Sequence, residues 1–137
     1  MLLAPMRFAN QIRENARFIS RLRGRIHETF AHRNKGKSQR DKWAAACREF
    51  HEKYDTLAFL GGSLDARDRL RSGDSDAIDY ALDFIEVRPY FFRSGYMYKD
   101  FMRVLRNCPL SSSQRMRYDR LYSAYKQFLE QRRGSAG

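Results

Sequence analysis

The chain has 137 residues, of which 42% are hydrophobic and 14% aromatic, with eight Gly and three Pro. This composition excludes extensive disorder and suits one compact domain. No apolar run reaches the ~18 residues that a membrane-spanning helix needs. The two cysteines, Cys47 and Cys108, are too few for a disulfide framework, so we expect a reduced, cytoplasmic protein.

The net charge of +11 is unevenly distributed along the chain. Residues 1–40 carry ten Lys or Arg against two Asp or Glu, and residues 87–137 carry eleven against three. Residues 41–86 carry six against eleven and are therefore acidic. Two interpretations follow. The basic ends bind an anionic partner, or they neutralise the acidic middle within the fold.

A first helix is predicted from Arg7 to about Phe30. Its apolar residues recur every three or four positions: Phe8, Ile12, Ala16, Ile19, Leu22, Ile26 and Phe30. A second series, the Arg ladder, recurs every four positions on the opposite face and comprises Arg13, Arg17, Arg21 and Arg25. Like charges at this spacing destabilise an isolated helix by a few tenths of a kcal/mol per pair, so we expect an anion to compensate. A solvated basic face is the alternative.

Two further helices are predicted in the middle of the chain. The polar segment 31–37 indicates a loop, and Ser38 is the expected cap of a helix that carries Trp43, Phe50 and Tyr54 on one side. The pair Gly61-Gly62 indicates a turn. Ser63 would then cap a short helix that ends near Arg71.

No residue pattern in the chain indicates catalysis or a cofactor. Cys47 and His51 lie four residues apart and could face each other, but no signature of a nucleophilic pair accompanies them. The histidines and cysteines lack metal-ligand spacing, and Gly61-Gly62 lacks the further glycines and the Lys of a phosphate loop. We therefore expect no catalytic residue, no metal, no cofactor and no enzyme.

A helix from Asp76 to Val87, capped by Asp74 or Ser75, is predicted next. Its inner face would carry Ile78, Ala81, Leu82 and Ile85. The opposite side carries an acidic stripe that comprises Asp76, Asp79, Asp83 and Glu86. We expect this stripe to be solvated or to meet the Arg ladder, rather than to be catalytic.

Pro89 ends that helix because the residue before a proline is pushed away from helical geometry. The corner that follows, RPYFFRSGYMYKD, mixes cations with aromatic rings. The cations are Arg88, Arg93 and Lys99, and the rings are Tyr90, Phe91, Phe92, Tyr96 and Tyr98. Such a surface can hold phosphates and stack unpaired bases. Alternatively, the rings form the core and the cations lie at its rim.

The run YALDFIEVRPYFFRSGYMYKDFMRVLRNCPLS, together with the upstream KYDTLAFLGG, resembles a group of small bacterial proteins of unassigned activity. The resemblance covers roughly residues 53–125 and leaves the Arg-rich N-terminal segment outside it. It implies a bacterial, intracellular, helical module. It brings no catalytic residues.

Ser111 to Ser113 are expected to cap a last helix whose stripe comprises Met116, Leu121, Tyr122, Tyr125, Phe128 and Leu129. The whole pattern predicts an all-α, compact single-domain bundle of about five or six helices with short loops. The domain would span residues 1–131, with the Arg-rich helix and loop in 1–37 and the helical core in 38–131. Residues 132–137 would form a frayed tail.

The function that this pattern favours is a non-catalytic protein-interaction module, an accessory or immunity-type protein that docks on a larger protein partner. The alternative is nucleic-acid binding through the Arg ladder and the corner at 88–99, because arginine suits phosphate. The candidate residues for an anionic partner are Arg13, Arg17, Arg21, Arg25, Arg88, Arg93 and Lys99. The candidate aromatic contacts are Tyr90, Phe91, Phe92, Tyr96 and Tyr98.

Overall fold

The structure is a computed structural model that describes residues 6–136, with side chains through residue 134. These residues form six α-helices and no strand, which confirms the all-α prediction. The helices are α1 (Ala9–Phe30), α2 (Lys37–Ala58), α3 (Ala66–Arg71), α4 (Ser75–Val87), α5 (Ser94–Val104) and α6 (Ser112–Ala136). A 3₁₀ turn, Leu105–Asn107, follows α5. Because α6 continues to Ala136, most of the segment expected to fray is helical; residues 1–5 and 137 lie outside the described residues.

Helices α1 and α2 form an antiparallel pair. The ring of Phe30 lies 6.0 Å from that of Trp43 near the connecting loop. Further along, Arg25 Nη1 lies 2.8 Å from a carboxylate oxygen of Glu49. The middle of the predicted apolar stripe of α1 is buried, with Ile12, Ala16, Ile19 and Leu22 all in the core, whereas Phe30 at its end is exposed. Burial of this stripe leaves the opposite face of α1, with the Arg ladder, toward solvent.

Helix α4 is the centre of the fold and is buried on nearly all sides. It contacts α1, α3, α5 and α6. Besides the four apolar residues predicted for its inner face, it buries Ala77, Tyr80, Asp83 and Phe84. A helix that is apolar around most of its circumference has to be covered on most sides. The expectation of a solvated acidic face is therefore wrong for Asp83, which is buried, whereas Asp76 and Glu86 are exposed.

Four rings from three parts of the chain form the centre of the core around α4. Phe59 packs on Tyr80 with ring centroids 4.8 Å apart and on Phe101 at 5.2 Å. Phe84 lies edge-on to Phe101 at 5.2 Å. From the corner, Phe91 extends this cluster at 6.0 Å from Phe84. Such contacts add about 0.5–1.5 kcal/mol each beyond the area they bury, so these rings hold α4 and α5 to the end of α2.

The carboxylates of α4 bind arginines of the N-terminal segment and of α6. The buried Asp83 accepts a hydrogen bond from the backbone N–H of Phe8 at 2.9 Å, and its other oxygen lies 2.8 Å from Arg117 Nη2. Arg117 and Arg120 also reach Glu86, at 3.4 and 3.0 Å. The remaining two carboxylates, Asp76 and Asp79, bind Arg7. The expectation that this stripe meets the Arg ladder is therefore wrong for the described residues.

The helix caps follow the predictions in part. Asp74 accepts from the backbone N–H of Ala77 at 3.2 Å and caps α4 as expected. At α6, the Ser111 hydroxyl accepts from the N–H of Gln114, whose side chain accepts in turn from the N–H of Ser111. This reciprocal pair is a capping box. Ser63 does not cap α3, because its hydroxyl and its N–H both donate to Asp55 instead.

Removing Arg117 is expected to destabilise the fold strongly, because it leaves the buried Asp83 carboxylate without its counter-charge. Arg117→Ala should lower the free energy of unfolding by about 3–5 kcal/mol. Arg120→Ala is the matched control, since its contact with Glu86 lies at the surface and should cost less than about 1 kcal/mol. Urea unfolding followed by circular dichroism measures both. An equal fall in the free energy of unfolding in both variants would show that the buried Asp83–Arg117 contact stabilises the packing of α6 no more than a surface contact does.

Burial raises the pKa of Tyr80 to about 12. Between about pH 10 and 12, the unfolded chain therefore loses this phenolic proton while the folded chain keeps it. The free energy of unfolding should fall over this range by up to about 1.4 kcal/mol per pH unit from this group. Tyr80→Phe should make the fall less steep, as measured by urea unfolding at successive pH values. Burial also raises the pKa of Tyr98 and of Tyr118, so the free energy of unfolding of Tyr80→Phe should still fall with pH, but less steeply. The same slope in the wild type and in Tyr80→Phe would contradict the raised pKa of Tyr80.

Candidate functional site

The Arg ladder lies beside the corner because α1 packs against α4, whose C-terminal end leads into the corner. The two segments enclose an open groove of about 510 Å³, the ladder groove. Its lining is Arg13, Ala16, Arg17, Ser20, Arg21, Val87, Pro89 and Tyr90. Three of the four predicted ladder arginines therefore share one concave surface with the corner.

A second groove, the corner groove, continues from the first and has a volume of about 790 Å³. Both grooves are lined by Ser20, Pro89 and Tyr90. The cations of the corner groove are Arg23, Arg88, Arg93, Lys99 and Arg132, and His27 also lines it. Its rings are Tyr90, Phe91, Phe92, Tyr98, Tyr125 and Phe128. Three separate parts of the chain, namely α1, the corner and the C-terminal half of α6, thus form one continuous surface.

This joint surface carries positive charge with no acidic side chain to balance it. No Asp or Glu lines either groove. Within residues 6–134, none of its eight Lys and Arg side chains lies within 4.0 Å of a carboxylate. The four carboxylates of α4, in contrast, all have arginine partners elsewhere. The electrostatic field of the grooves therefore favours an anion from outside the chain.

The corner is fixed by hydrogen bonds to its backbone. The Tyr54 hydroxyl donates to the carbonyl of Phe92 at 2.8 Å, and the N–H of Phe91 donates to the Ser94 hydroxyl at 3.0 Å. Burial raises the pKa of Tyr54, so its hydroxyl stays a donor well above neutral pH. The groove wall is consequently formed before any ligand arrives.

Guanidinium groups lie over the rings of the corner groove. Arg23 and Arg93 lie over the ring of Phe92, at 4.1 and 5.3 Å from its centroid. Arg88 lies 4.7 Å from the centroid of Tyr98 and 5.3 Å from that of Phe128. Such contacts orient the cation without neutralising it. The arginines are thus held in place while their N–H donors remain available to a phosphate.

Two of the predicted candidate residues lie outside these grooves. Arg25 binds Glu49, and the hydrogen bond from Lys53 together with the Arg25 charge holds the pKa of Glu49 below its usual value. Tyr96 lines a separate groove of about 340 Å³ beside Arg67. Of the remaining rings, Phe91 and Tyr98 are buried and Phe92 is half-buried, whereas Tyr90 is 93% exposed.

Sequence reasoning missed the groove residues of α1 and α6 that do not belong to the Arg ladder or the corner. Arg23 lies near the apolar stripe of α1 on a helical projection, so no periodicity marks it as a ligand-binding cation. Phe128 and Arg132 lie near the end of α6 and are brought to the corner by the packing of α6 on α4. No local signal in the sequence could have found them.

The structure shows no assembled metal or thiol site in the part of the chain that it describes. No group of three or more His, Cys, Asp or Glu side chains converges there. Cys108 is buried, its thiol donates to the carbonyl of Val104 at 3.2 Å, and burial raises its pKa.

Among the described helices, none has both the length and the apolar character that a membrane span requires.

No protein-family model, curated protein sequence or solved structure matches this chain. The resemblance of residues 53–125 to small bacterial proteins therefore stays a prediction. The function has to be argued from the geometry of the grooves.

The two arginines that bracket the corner have left-handed backbone conformations, with φ of 51° at Arg88 and 69° at Arg93. A left-handed conformation costs a residue with a Cβ about 1–2 kcal/mol, a cost that glycine avoids. At Arg88 this conformation closes α4, because its N–H donates to the carbonyl of Phe84. The left-handed conformation at Arg88 therefore has a structural role at the end of α4.

Comparing Gly with Ala at position 88 isolates the backbone strain, since both substitutions remove the same guanidinium. Arg88→Gly should be more stable than Arg88→Ala by about 1 kcal/mol. Thermal and urea unfolding of the two variants measure the difference. If Arg88→Ala were the more stable variant, as at an ordinary helical position, the left-handed conformation would be refuted.

Proposed function

We propose that this protein is a non-catalytic binding module whose partner is a nucleic acid, held by its phosphates along the ladder groove and the corner groove. One observation carries the proposal: the eight Lys and Arg side chains of the joint surface have no carboxylate partner within the described residues. Phosphate is the anion that best matches the planar guanidinium group of arginine, which can donate two parallel hydrogen bonds to it. The proposal takes up the nucleic-acid alternative that the sequence left open.

The spacing of the ladder supports a ligand with regularly repeated charges. Arg13, Arg17 and Arg21 follow at steps of four residues, which is about 6 Å along the helix axis. Successive phosphates of an extended strand lie at a similar separation. A polynucleotide can therefore place one phosphate beside each arginine. Each contact releases counterions and adds to the affinity.

A larger protein is the second candidate partner, because two large apolar side chains are exposed on another face. Leu64 is 93% exposed and Tyr96 is 70% exposed, and both line the third groove, next to the Arg67–Asp100 ion pair. Exposed apolar residues that cluster mark interaction sites more often than isolated ones do. This face shares Arg93 with the corner groove but none of the ladder residues.

Reversing the ladder charges should abolish nucleic-acid binding without unfolding the protein. We expect Arg13→Glu/Arg17→Glu/Arg21→Glu to weaken binding on the order of 100-fold at physiological salt, since three phosphate contacts are lost. Fluorescence anisotropy with labelled single-stranded and double-stranded oligonucleotides of about 12 nucleotides, over a salt series, measures this. For the wild type, log affinity should fall linearly with log salt concentration.

The matched control is Lys37→Glu/Arg40→Glu/Arg48→Glu, which changes the net charge equally on α2. These three side chains are exposed and line neither groove, so binding should weaken far less than in the ladder variant. Circular dichroism should show the same helicity for both variants. Failure of the wild type to bind any oligonucleotide at low salt would overturn the proposal. Docking on a protein through Leu64 and Tyr96 would instead survive charge reversal of the ladder.

A further inference from the structure

We infer that the corner groove is a pocket for unpaired nucleobases, so that the ligand is a single strand whose phosphates follow the ladder groove. This inference rests on the proposed function and names the form of the nucleic acid. It requires rings at the junction of the two grooves, a cavity deep enough for a base, and a reason to exclude a duplex. The structure provides each of these.

Tyr90 lies where the two grooves join, and its exposed ring can stack on a base. It lines both grooves and is 93% exposed. Within the described residues, its ring packs on no other ring and lies under no cation, unlike Phe92 and Tyr98 beside it. An exposed ring next to phosphate-spaced arginines is the arrangement by which single-strand-binding proteins hold successive bases.

Further into the corner groove, rings and guanidinium groups lie together. Arg23 and Arg93 both lie near the ring of Phe92, and Arg88 and Arg132 lie 5.3 and 6.0 Å from the centroid of Phe128. Bases stack on aromatic faces and on guanidinium planes alike. A base that enters beside Phe92 or Phe128 therefore meets a π-face or a cationic plane, with phosphate-binding N–H donors next to it.

Two glycines line this groove. Gly24 lies inside α1 and Gly95 in the first turn of α5, and both line the corner groove. A Cβ added at either position would meet no atom within 4 Å, and neither residue has a positive φ. Packing and backbone conformation thus permit larger residues at positions where glycine weakens a helix. A cavity of about 790 Å³ is within the range of small-molecule sites and accommodates a base.

The shape of this surface disfavours a duplex. Proteins read duplex DNA by inserting a protruding helix or strand pair into the major groove. Here the cations and rings line grooves, and rings that line a groove stack on bases only when these are unpaired and splayed out. A single strand is therefore the form of nucleic acid that can bind both the ladder groove and the corner groove.

The test compares oligonucleotides of equal phosphate number with and without bases. Wild-type protein should bind a mixed-sequence single strand of about 12 nucleotides at least about tenfold more tightly than an abasic strand of the same length, since each stacked base contributes to affinity. The corresponding duplex should bind no more tightly than the abasic strand. Fluorescence anisotropy at constant salt measures all three affinities.

Filling the groove should remove the preference for bases and leave phosphate binding intact. Gly24→Trp places a ring in the corner groove, so the variant should bind the base-bearing and abasic strands equally. Gly24→Ala is the matched control, because its Cβ meets nothing and its preference should equal that of the wild type. Gly95→Trp repeats the test from the other wall, in case Gly24→Trp lowers the helicity seen by circular dichroism.

The outcomes separate this inference from the proposed function. Equal wild-type affinity for base-bearing and abasic strands would overturn the base pocket while nucleic-acid binding through phosphates stands. A wild-type preference for bases that survives in both Trp variants would overturn the location of the pocket. Absence of binding to every oligonucleotide would overturn the proposed function and this inference together.

Discussion

The buried contact between Asp83 and Arg117 is the constraint on which the arrangement of the helices depends. Asp83 is 1% exposed at the centre of α4, where an unpaired carboxylate would be very costly. It accepts the N–H of Phe8 at the start of α1 and faces the guanidinium of α6. One side chain therefore ties the N-terminal and C-terminal helices to the central one. An aromatic cluster stabilises the opposite side of α4 and comprises Phe59, Tyr80, Phe84 and Phe101. Ring contacts constrain the orientation of the helices less than a hydrogen bond to a charged group does.

The same contact helps to decide which basic side chains of the chain pair with the carboxylates of α4. The N-terminal segment and α6 supply Arg7, Arg117 and Arg120 to the acidic stripe, so the carboxylates of α4 have cationic partners. On the exposed side of α1, Arg25 of the Arg ladder binds Glu49, whereas Arg13, Arg17 and Arg21 have no carboxylate partner within the described residues. Of the two sequence interpretations of the basic ends, neutralisation of the acidic middle is confirmed for Arg7, Arg117 and Arg120, whereas binding of an anionic partner stays a proposal. Other arginines face the grooves, with no acidic side chain in the lining.

The grooves carry features that stability does not explain. Arg93 holds a left-handed conformation, Gly24 interrupts a long helix without a packing contact, and Tyr90 is almost fully exposed. Each departs from the local preference of its residue type. Departures of this kind are expected at binding sites, where the fold tolerates strain in exchange for a preformed surface. Their concentration around one acid-free surface is the reason to locate the function there.

By itself, the sequence determined the all-α fold, because helical periodicity and capping residues are local properties. The buried centre of the apolar stripe of α1 and the end of α4 before Pro89 were predicted correctly, and the cap of α4 is one of the two residues expected, Asp74. Only the tertiary structure decided which arginines of the described residues pair with a carboxylate and which do not. Asp83 looked like part of a solvated stripe, and Arg23 and Arg132 carried no signal, because burial and groove membership depend on residues distant in the chain. Periodicity assigns a face to each side chain, whereas packing decides what that face meets.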